Sequence, residues 1–341
     1  MPISEYLSNK LRLLSFLLII MVIVIHNYFG ILSPHGSWPY IMKTVISKGL
    51  CYVANPLFFM ISGFFFFRKK EEFNPQGYST MLRKKVRTLL IPYLLISALV
   101  ITVYAAFNIS QFSNAGEVLW VWLAEPIPFH LWFLRYLMLL CLLSPLVCYL
   151  VKNGKFLYIA VLLLAWLLLY HKIDWPLISL TFFSVGAFIA MHDIRIPYYN
   201  GNRILLAAST FLWVFFAYVA CIVLEEHEFA MSVVRNLSIV CGLVSVWLLY
   251  DCFYKYIDWF ARSSIITYSF FIYLMHKPLM LYVNKAVMRT MALFTKAEYA
   301  VINGQVSYLL TPLITVVICA VTGIFLNRYL TPVYKVVTGG R

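Results

Sequence analysis

The amino-acid sequence predicts an all-α membrane protein, a polytopic bundle of about ten transmembrane helices with both termini in the cytoplasm. Three observations support this fold class. Hydrophobic residues make up 63% of the 341 residues and charged residues only 12%, about half of the charged fraction of a soluble domain. Apolar runs of about 20 residues, long enough to cross a bilayer, recur along the whole chain. No polar stretch is long enough for a separate soluble domain, so residues 1–341 are interpreted as a single integral-membrane domain.

Ten apolar runs along the chain are the candidate membrane spans. They are 13–32, 45–67, 88–108, 130–151, 156–171, 175–191, 204–224, 233–253, 264–284 and 308–330. The fifth and sixth are short and joined by a brief hinge near 171–174, and the long linkers are 68–87, 109–129 and 285–307. An even number of spans places the two termini on the same side of the membrane.

The distribution of positive charge predicts the orientation of the bundle. If the N-terminus is cytoplasmic, most of the 27 Lys and Arg residues fall in cytoplasmic segments, as the positive-inside rule requires. The linker 68–87 holds the densest group of cations. We therefore expect a multi-pass protein of a bacterial inner (cytoplasmic) membrane with both ends in the cytoplasm.

The formal net charge of +14 does not indicate a nucleic-acid partner. The cations lie in short linkers between apolar runs, where they set orientation and contact lipid headgroups. There is no basic domain with interleaved aromatic residues, which a nucleic-acid binder would show. The chain also lacks a zinc-ligand spacing, a Walker loop and a GxSxG motif. We predict membrane lipids as contacts, no nucleic-acid partner and no metal.

The first span carries the leading catalytic candidate. His26, followed by Asn27, interrupts an apolar run that Arg12 precedes. An ionisable side chain inside a membrane-length segment is costly and marks a functional site by default. Arg12 lies 14 residues before His26, about 40° short of four helical turns, so the two are expected to share one helix face. The alternatives are an interfacial anchor for Arg12 and a hydrogen-bonded structural imidazole for His26.

A basic cluster precedes the third span. Arg83, Lys84, Lys85 and Arg87 lie within five residues, and Lys84 and Arg87 would face the same way on a helix. Such a cluster can bind phosphates, with arginine giving bidentate contacts. Arg12 is a further candidate cation at the cytoplasmic mouth. A simple positive-inside signal and anionic-lipid binding are the alternatives.

Two further stretches place polar residues in apolar surroundings. His130 and Arg135 lie at the outer end of the fourth span, and His276 lies at a depth comparable to that of His26. Arg135 is a candidate donor to a developing oxyanion. His276 is grouped with His26 and Asn27 as a candidate catalytic residue, although a structural histidine is the alternative reading. In the second span, Ser62 and Gly63 are expected to kink the helix or to allow a close helix approach.

These stretches together resemble acyltransferase family 3, a family of multi-pass membrane proteins. The matching pieces are the first-span histidine behind an arginine, PLFFMISGFFF, KKVRTLLIPY, LWFLRYLMLLCLLSP and SFFIYLMH, in the family's order and over most of the chain. One departure stands out. The family usually has ten residues between the arginine and the histidine, whereas Arg12 and His26 have thirteen between them, and Ser15 occupies the usual arginine position.

The resemblance implies transfer of an acyl group, most often acetyl, from cytoplasmic acyl-CoA to a hydroxyl of an extracytoplasmic or lipid-linked sugar. Acetyl-CoA would be a co-substrate, with no permanently bound cofactor, and its phosphates would lie near Lys84 and Arg87. The acceptor would be a carbohydrate or glycolipid. His26 would either deprotonate the acceptor hydroxyl or carry the acyl group as an acyl-imidazole.

A second function remains open at this point. A transporter or flippase for a lipid-linked sugar would also use a basic cytoplasmic loop and polar residues within spans. None of the 13 acidic residues lies at the middle of a span, which disfavours an ion-coupled transporter. A scaffold for other membrane enzymes is a third hypothesis, in which His26 would be dispensable.

Overall fold

A computed structural model describes residues 4–27, 33–68, 75–106, 114–123, 129–169, 174–194, 201–295 and 299–340. Within these ranges the chain forms fourteen α-helices and no β-strand, which confirms the all-α prediction. Their bounds are α1 Glu5–His26, α2 Trp38–Thr44, α3 Ala54–Phe67, α4 Pro75–Lys85, α5 Ile91–Ala106, α6 Ala115–Leu123, α7 Trp132–Leu142, α8 Ser144–Leu169, α9 Asp174–Met191, α10 Arg203–Tyr218, α11 Glu228–Ala261, α12 Ser269–Phe294, α13 Ala300–Tyr329 and α14 Thr331–Val337.

Several of these helices are joined by tighter or wider helical turns rather than by loops. A π-helical turn at Val45–Gly49 and a 3-10 turn at Leu50–Val53 connect α2 to α3. A second π-helical turn, Val86–Leu90, connects α4 to α5, and a third, Val219–Val223, extends α10. Such turns change the direction in which following side chains point.

Seven helical segments of the described chain are long and apolar enough to cross a membrane. Two shorter apolar helices, Trp132–Leu142 and Trp175–Met191, lie among them. The helix α12 has 26 residues but a more polar composition. Helices therefore lie within all ten predicted spans, while the number of crossings and the orientation of the termini stay predictions.

Some predicted bounds were wrong. The first helix begins at Glu5, where the Ser4 hydroxyl caps it, and ends at His26 instead of continuing to residue 32; residues 28–32 lie outside the described part of the chain. The predicted linker 68–87 contains the helix α4, and the linker 109–129 contains α6. His26 is consequently the last residue of its helix, where an imidazole can face a cavity.

Other predicted bounds also differ. The predicted fourth span, 130–151, is divided at Leu143 between α7 and α8. The helix α8 continues through the predicted gap between the fourth and fifth spans, with a break at Lys155, which has φ 46° and ψ −131°. The predicted linker 285–307 is largely helical, because α12 extends to Phe294 and α13 begins at Ala300. Asn284 donates a hydrogen bond to Ser307 across this helix pair, at 3.1 Å, so polar side chains are paired between helices.

The close helix approach predicted at Gly63 is confirmed. A Cβ added at Gly63 would lie 2.1 Å from the carbonyl oxygen of Phe183, and one added at Gly186 would lie 2.0 Å from that of Met60. The absence of side chains at these two glycines lets the backbones of α3 and α9 touch. This contact holds α3 against α9 beside the cavity described below.

A buried ion pair joins α1 to α11. The ammonium of Lys10 lies 2.7 and 2.8 Å from the two carboxylate oxygens of Asp251, and both side chains are at most 2% exposed. The Tyr6 hydroxyl also donates a hydrogen bond to Asp251, and the Lys10 ammonium lies 3.7 Å from the centre of the Trp247 ring. These contacts fix the N-terminal half of α1, whose last residue is His26.

Candidate active site

A cavity of about 520 Å³ runs between α1, α3, α7, α9 and α12. Lys85, the last residue of α4, lines it, and so do His26 and His130. Tyr78 of α4 donates a hydrogen bond to the carbonyl of Leu142 at the C-terminal end of α7, whereas His130 lies just before the N-terminal end of α7. The helix α4, which ends at Lys85, therefore contacts the C-terminal end of α7, whereas the histidine end of the cavity lies beside the N-terminal end of α7.

One face of α1 forms a wall of this cavity. Ser15, Ile19, Val22 and His26 all line it, and their spacings of four, three and four residues place them on one helical face. Arg12, which was expected on the same face as His26, is exposed instead. The residue that shares the cavity with His26 at this end of α1 is therefore Ser15.

Three imidazole rings meet at the histidine end. The ring centroids of His26 and His276 lie 5.6 Å apart, those of His26 and His130 lie 6.3 Å apart, and those of His130 and His276 lie 4.7 Å apart. They come from α1, from a 3-10 turn before α7 and from α12. His276, which was predicted at a depth comparable to that of His26, lies beside it, although it is not among the described residues that line the cavity. No group of three or more His, Cys, Asp or Glu residues in the described part of the chain has a metal-binding arrangement.

Backbone carbonyls orient two of the three rings. Nδ1 of His276 lies 2.7 Å from the carbonyl oxygen of Tyr273, and Nε2 of His130 lies 3.2 Å from that of Leu274. A carbonyl can only accept, so each of these nitrogens carries the hydrogen, and in a neutral ring the other nitrogen presents a lone pair. Nε2 of His276 and Nδ1 of His130 are buried without a hydrogen-bond partner.

His26 is held differently from the other two histidines. It is half-buried, and within the described ranges its ring nitrogens have no hydrogen-bond partner. An imidazole that faces a cavity without a protein partner can exchange a proton with a bound ligand. Of the three rings, His26 is the one whose nitrogens are both available to a substrate.

Asn27 fastens the end of α1 to α13. Its amide nitrogen donates to the carbonyl of Tyr308 at 2.7 Å, and the side chain is buried. The Ser47 hydroxyl lies 2.7 Å from the Tyr308 hydroxyl and donates to the carbonyl of Val24 at 3.0 Å. Asn27 is not among the described residues that line the cavity, so the geometry gives it the position of an anchor for the turn that carries His26.

A second cavity, of about 410 Å³, adjoins the basic end of the first. It is lined by Lys84 and Lys85, and it shares Phe65, Phe66 and Lys85 with the first cavity. A ligand held at Lys84 can therefore extend along the same walls toward the histidines. Lys84 is exposed and Lys85 is half-buried, as expected for cations at the mouth of a pocket.

The other predicted cations lie elsewhere. The guanidinium of Arg87 lies beside Gly340, and Arg87 belongs to the π-helical turn that begins at Val86, after Lys84. Arg83 is exposed and Arg135 lies over the ring of Tyr136. None of these three arginines is among the described residues that line either cavity.

His130 was not among the predicted catalytic residues, although it lies near Arg135 at the outer end of the predicted fourth span. A signal for it was present in the predicted ninth span. Pro278 lies in that span, and a proline inside a helix leaves the carbonyl four residues earlier, at Leu274, without its helical donor. The proline therefore predicts that a side chain from another segment donates to the Leu274 carbonyl, and His130 is that side chain.

Comparison with known proteins identifies the family of the chain. Residues 9–326, which include all the candidate site residues, match the family model described as an acyltransferase domain. The chain is also 25% identical over 297 residues to the succinoglycan biosynthesis protein ExoH of Rhizobium meliloti (strain 1021), covering 80% of this chain and 78% of that protein. No solved structure matches it. The match over nearly the whole chain shows that this multi-pass membrane protein belongs to acyltransferase family 3.

Proposed function

We propose that the protein transfers an acyl group from acyl-CoA to a hydroxyl of a carbohydrate or glycolipid on the far side of a bacterial inner membrane. The observation that carries this proposal is the cavity that joins a basic mouth at Lys84 and Lys85 to the imidazole of His26. The similarity to a succinoglycan biosynthesis protein supports a polysaccharide or its lipid-linked precursor as the acceptor. The basic mouth would face the cytoplasm, where acyl-CoA is found.

The donor would bind along the cavity. Its phosphates would lie at Lys84 and Lys85, where cations give charge-assisted contacts, and its pantetheine arm would follow the apolar walls toward His26. A volume of about 520 Å³ is in the range of ordinary small-molecule sites. Because the arm would fill much of that volume, a short acyl group is favoured, and we propose acetyl.

The chemistry would take place at His26. One ring nitrogen would remove the proton of the acceptor hydroxyl as its oxygen attacks the thioester carbonyl. The tetrahedral intermediate would then expel the CoA thiolate, which would take the proton from the imidazolium. The side chains of Tyr52 and Asn55 line the cavity and can donate hydrogen bonds to the developing oxyanion. Arg135 was the predicted donor for this role, but it is not among the described residues that line the cavity.

The direct route competes with an acyl-imidazole on His26. In that second route the imidazole attacks the thioester first, and CoA would be released in a burst before any acceptor is present. The direct route releases CoA only when the acceptor hydroxyl is bound. Rapid-mixing measurement of CoA thiol with and without acceptor therefore separates the two.

The lysines at the mouth provide the test of donor binding. The measurement is CoA thiol release by the purified protein in liposomes, with acetyl-CoA and a panel of methyl glycosides as acceptors. We expect Lys84→Ala and Lys85→Ala each to raise KM for acetyl-CoA about tenfold, which corresponds to about 1.4 kcal/mol, with a smaller change in kcat. Added salt should reduce the difference, since it screens charges at an exposed mouth.

Lys152→Ala, which removes an exposed lysine away from both cavities, is the matched control and should behave as wild type. An unchanged KM for acetyl-CoA in both mouth variants would show that the donor does not bind at this end of the cavity. No release of CoA with any acceptor would favour the transporter hypothesis over the acyltransferase. Phosphate binding by Arg83 and Arg87 stays a prediction, to be compared in the same assay.

A further inference from the structure

Pro278 creates an unusual hydrogen-bonding site within α12. Proline has no backbone N–H, so the carbonyl of Leu274, four residues earlier, loses its helical donor. Nε2 of His130 lies 3.2 Å from the Leu274 oxygen and donates a hydrogen bond to it instead. His130, in the turn before α7, is thereby fixed to the middle of α12 through the Leu274 carbonyl.

A second hydrogen bond holds the backbone of His130. The Tyr273 hydroxyl donates to the carbonyl of His130 at 2.7 Å. Both the main chain and the ring of His130 are therefore fastened to one turn of α12. The residue is 1% exposed, and its ring still lines the cavity that contains His26.

These contacts determine which hydrogen bonds His130 can make with a ligand. Because Nε2 carries the hydrogen, Nδ1 of the neutral ring presents only a lone pair, and it is buried without a partner. A buried acceptor that lacks a donor is unfavourable. It becomes satisfied when a ligand brings an O–H or N–H group into the cavity. The ring is thus a built acceptor site beside the proposed catalytic base.

We propose that His130 binds a second hydroxyl of the acceptor, one that is not acylated. This inference rests on the proposed function of His26, whose ring centroid lies 6.3 Å from that of His130. Because both residues line the same cavity, two neighbouring oxygens of one polyol in that cavity can each approach a nitrogen of one of the two rings. His26 takes the proton of the attacking hydroxyl, whereas Nδ1 of His130 accepts a hydrogen bond and keeps no proton. The preferred acceptor class is therefore a polyol, such as a sugar ring with a free neighbouring hydroxyl.

The first test removes the feature that positions His130 without changing a lining residue. Pro278→Ala restores an N–H that can bond the Leu274 carbonyl within the helix, so Nε2 of His130 loses its acceptor. We expect KM for the acceptor glycoside to rise about fivefold, KM for acetyl-CoA to stay unchanged, and the thermal unfolding temperature to stay equal or to increase. A wild-type KM for the acceptor in Pro278→Ala would overturn the proposal.

The second test compares acceptors. With wild-type protein, removing one particular non-acylated hydroxyl from the methyl glycoside should lower kcat/KM at least tenfold. His130→Gln keeps an amide N–H for the Leu274 carbonyl, but its acceptor oxygen is attached one carbon farther from the backbone than Nδ1. It therefore loses the acceptor at the Nδ1 position and should accept the deoxy and the parent glycoside about equally. A purely structural His130 would leave the discrimination between the two glycosides intact, and that result would contradict the proposal.

The outcomes separate this inference from the proposed function. If His26→Ala transfers the acyl group as well as wild type, the proposed catalytic role of His26 fails and the inference fails with it, whereas an absence of CoA release by the wild-type protein with any acceptor would remove the acyltransferase function itself. If His26 is required but no deoxy glycoside is discriminated against, only the inference about His130 fails. Should His130→Gln not fold, Pro278→Ala and the wild-type comparison of glycosides still decide the question.

Discussion

His26→Ala is expected to abolish acyl transfer while the protein remains folded in the membrane. Removing a general base typically costs about 10²- to 10⁴-fold in rate, and the loss is total in practice if His26 carries the acyl group. The fold should survive, because the half-buried ring makes no hydrogen bond within the described part of the chain. The measurement is CoA thiol release in liposomes, alongside the size-exclusion profile of the purified variant.

His192→Ala is the matched control for this prediction. His192 is an exposed histidine after α9 that does not line the cavity, so its replacement should leave transfer unchanged. If His26→Ala retains more than about a tenth of wild-type activity, the ring is not the base, and the role would have to move to His130 or His276.

The second large effect is on stability, at the ion pair between Lys10 and Asp251. Asp251→Ala leaves a buried ammonium without its counter-ion, and breaking a buried pair in this way costs about 3–5 kcal/mol. We expect the variant to unfold at a clearly lower temperature than wild type in detergent, with a lower yield of monodisperse protein. Fluorescence-detected size-exclusion chromatography after heating measures both quantities.

A pair with one exposed partner provides the comparison for that result. The guanidinium of Arg262 lies 2.7 Å from Asp258 and is 56% exposed, and exposed pairs contribute at most about 1 kcal/mol. Arg262→Ala should therefore change the unfolding temperature only slightly. The double variant Lys10→Met with Asp251→Leu should recover part of the loss, since it removes both charges together. Equal destabilisation by Arg262→Ala and Asp251→Ala would show that burial of the pair does not matter.

The ion pair also bears on the site, because it lies on the helix that ends in His26. Lys10 and His26 are 16 residues apart, about 24 Å along α1. The pair fixes the N-terminal half of that helix to α11, and Asn27 fixes its end to α13. The catalytic candidate is therefore held from both directions, although its own ring makes no protein hydrogen bond.

Much of the fold followed from composition and from the positions of apolar runs. Helices lie within all ten predicted spans, and the break at Lys155 falls in the predicted gap between the fourth and fifth spans. The helix α4 could not be predicted from these runs because it is polar, and α6, although apolar, has only 9 residues and is too short for a span. The end of α1 at His26 was also missed, because the run stays apolar through residue 32 and only tertiary contacts of Asn27 and Ser47 mark the end.

The site was predictable in part, and for a clear physical reason. His26 and His276 were found because an ionisable residue inside an apolar run is costly wherever it occurs. The same rule predicted Arg135 as a site residue, but Arg135 is not among the described residues that line the cavity. His130 was not predicted as a site residue, because its position depends on a hydrogen bond to the Leu274 carbonyl in α12, far away in the sequence. The π-helical turn after Lys85 likewise separates Arg87 from Lys84, and its occurrence could not be derived from spacing alone.

The central claim is that the acyl donor occupies the cavity between the lysines and His26, and labelling at Ser15 tests it most directly. Ser15 lines the cavity, whereas Arg12, one turn earlier on the same helix, is exposed and does not. The measurement is the rate of maleimide labelling of Ser15→Cys and Arg12→Cys in liposomes, with and without a non-transferable acetyl-CoA analogue. Occupancy of the cavity predicts that the analogue slows labelling at position 15 at least tenfold and leaves position 12 unchanged. Equal labelling at position 15 with and without a saturating analogue would contradict the account.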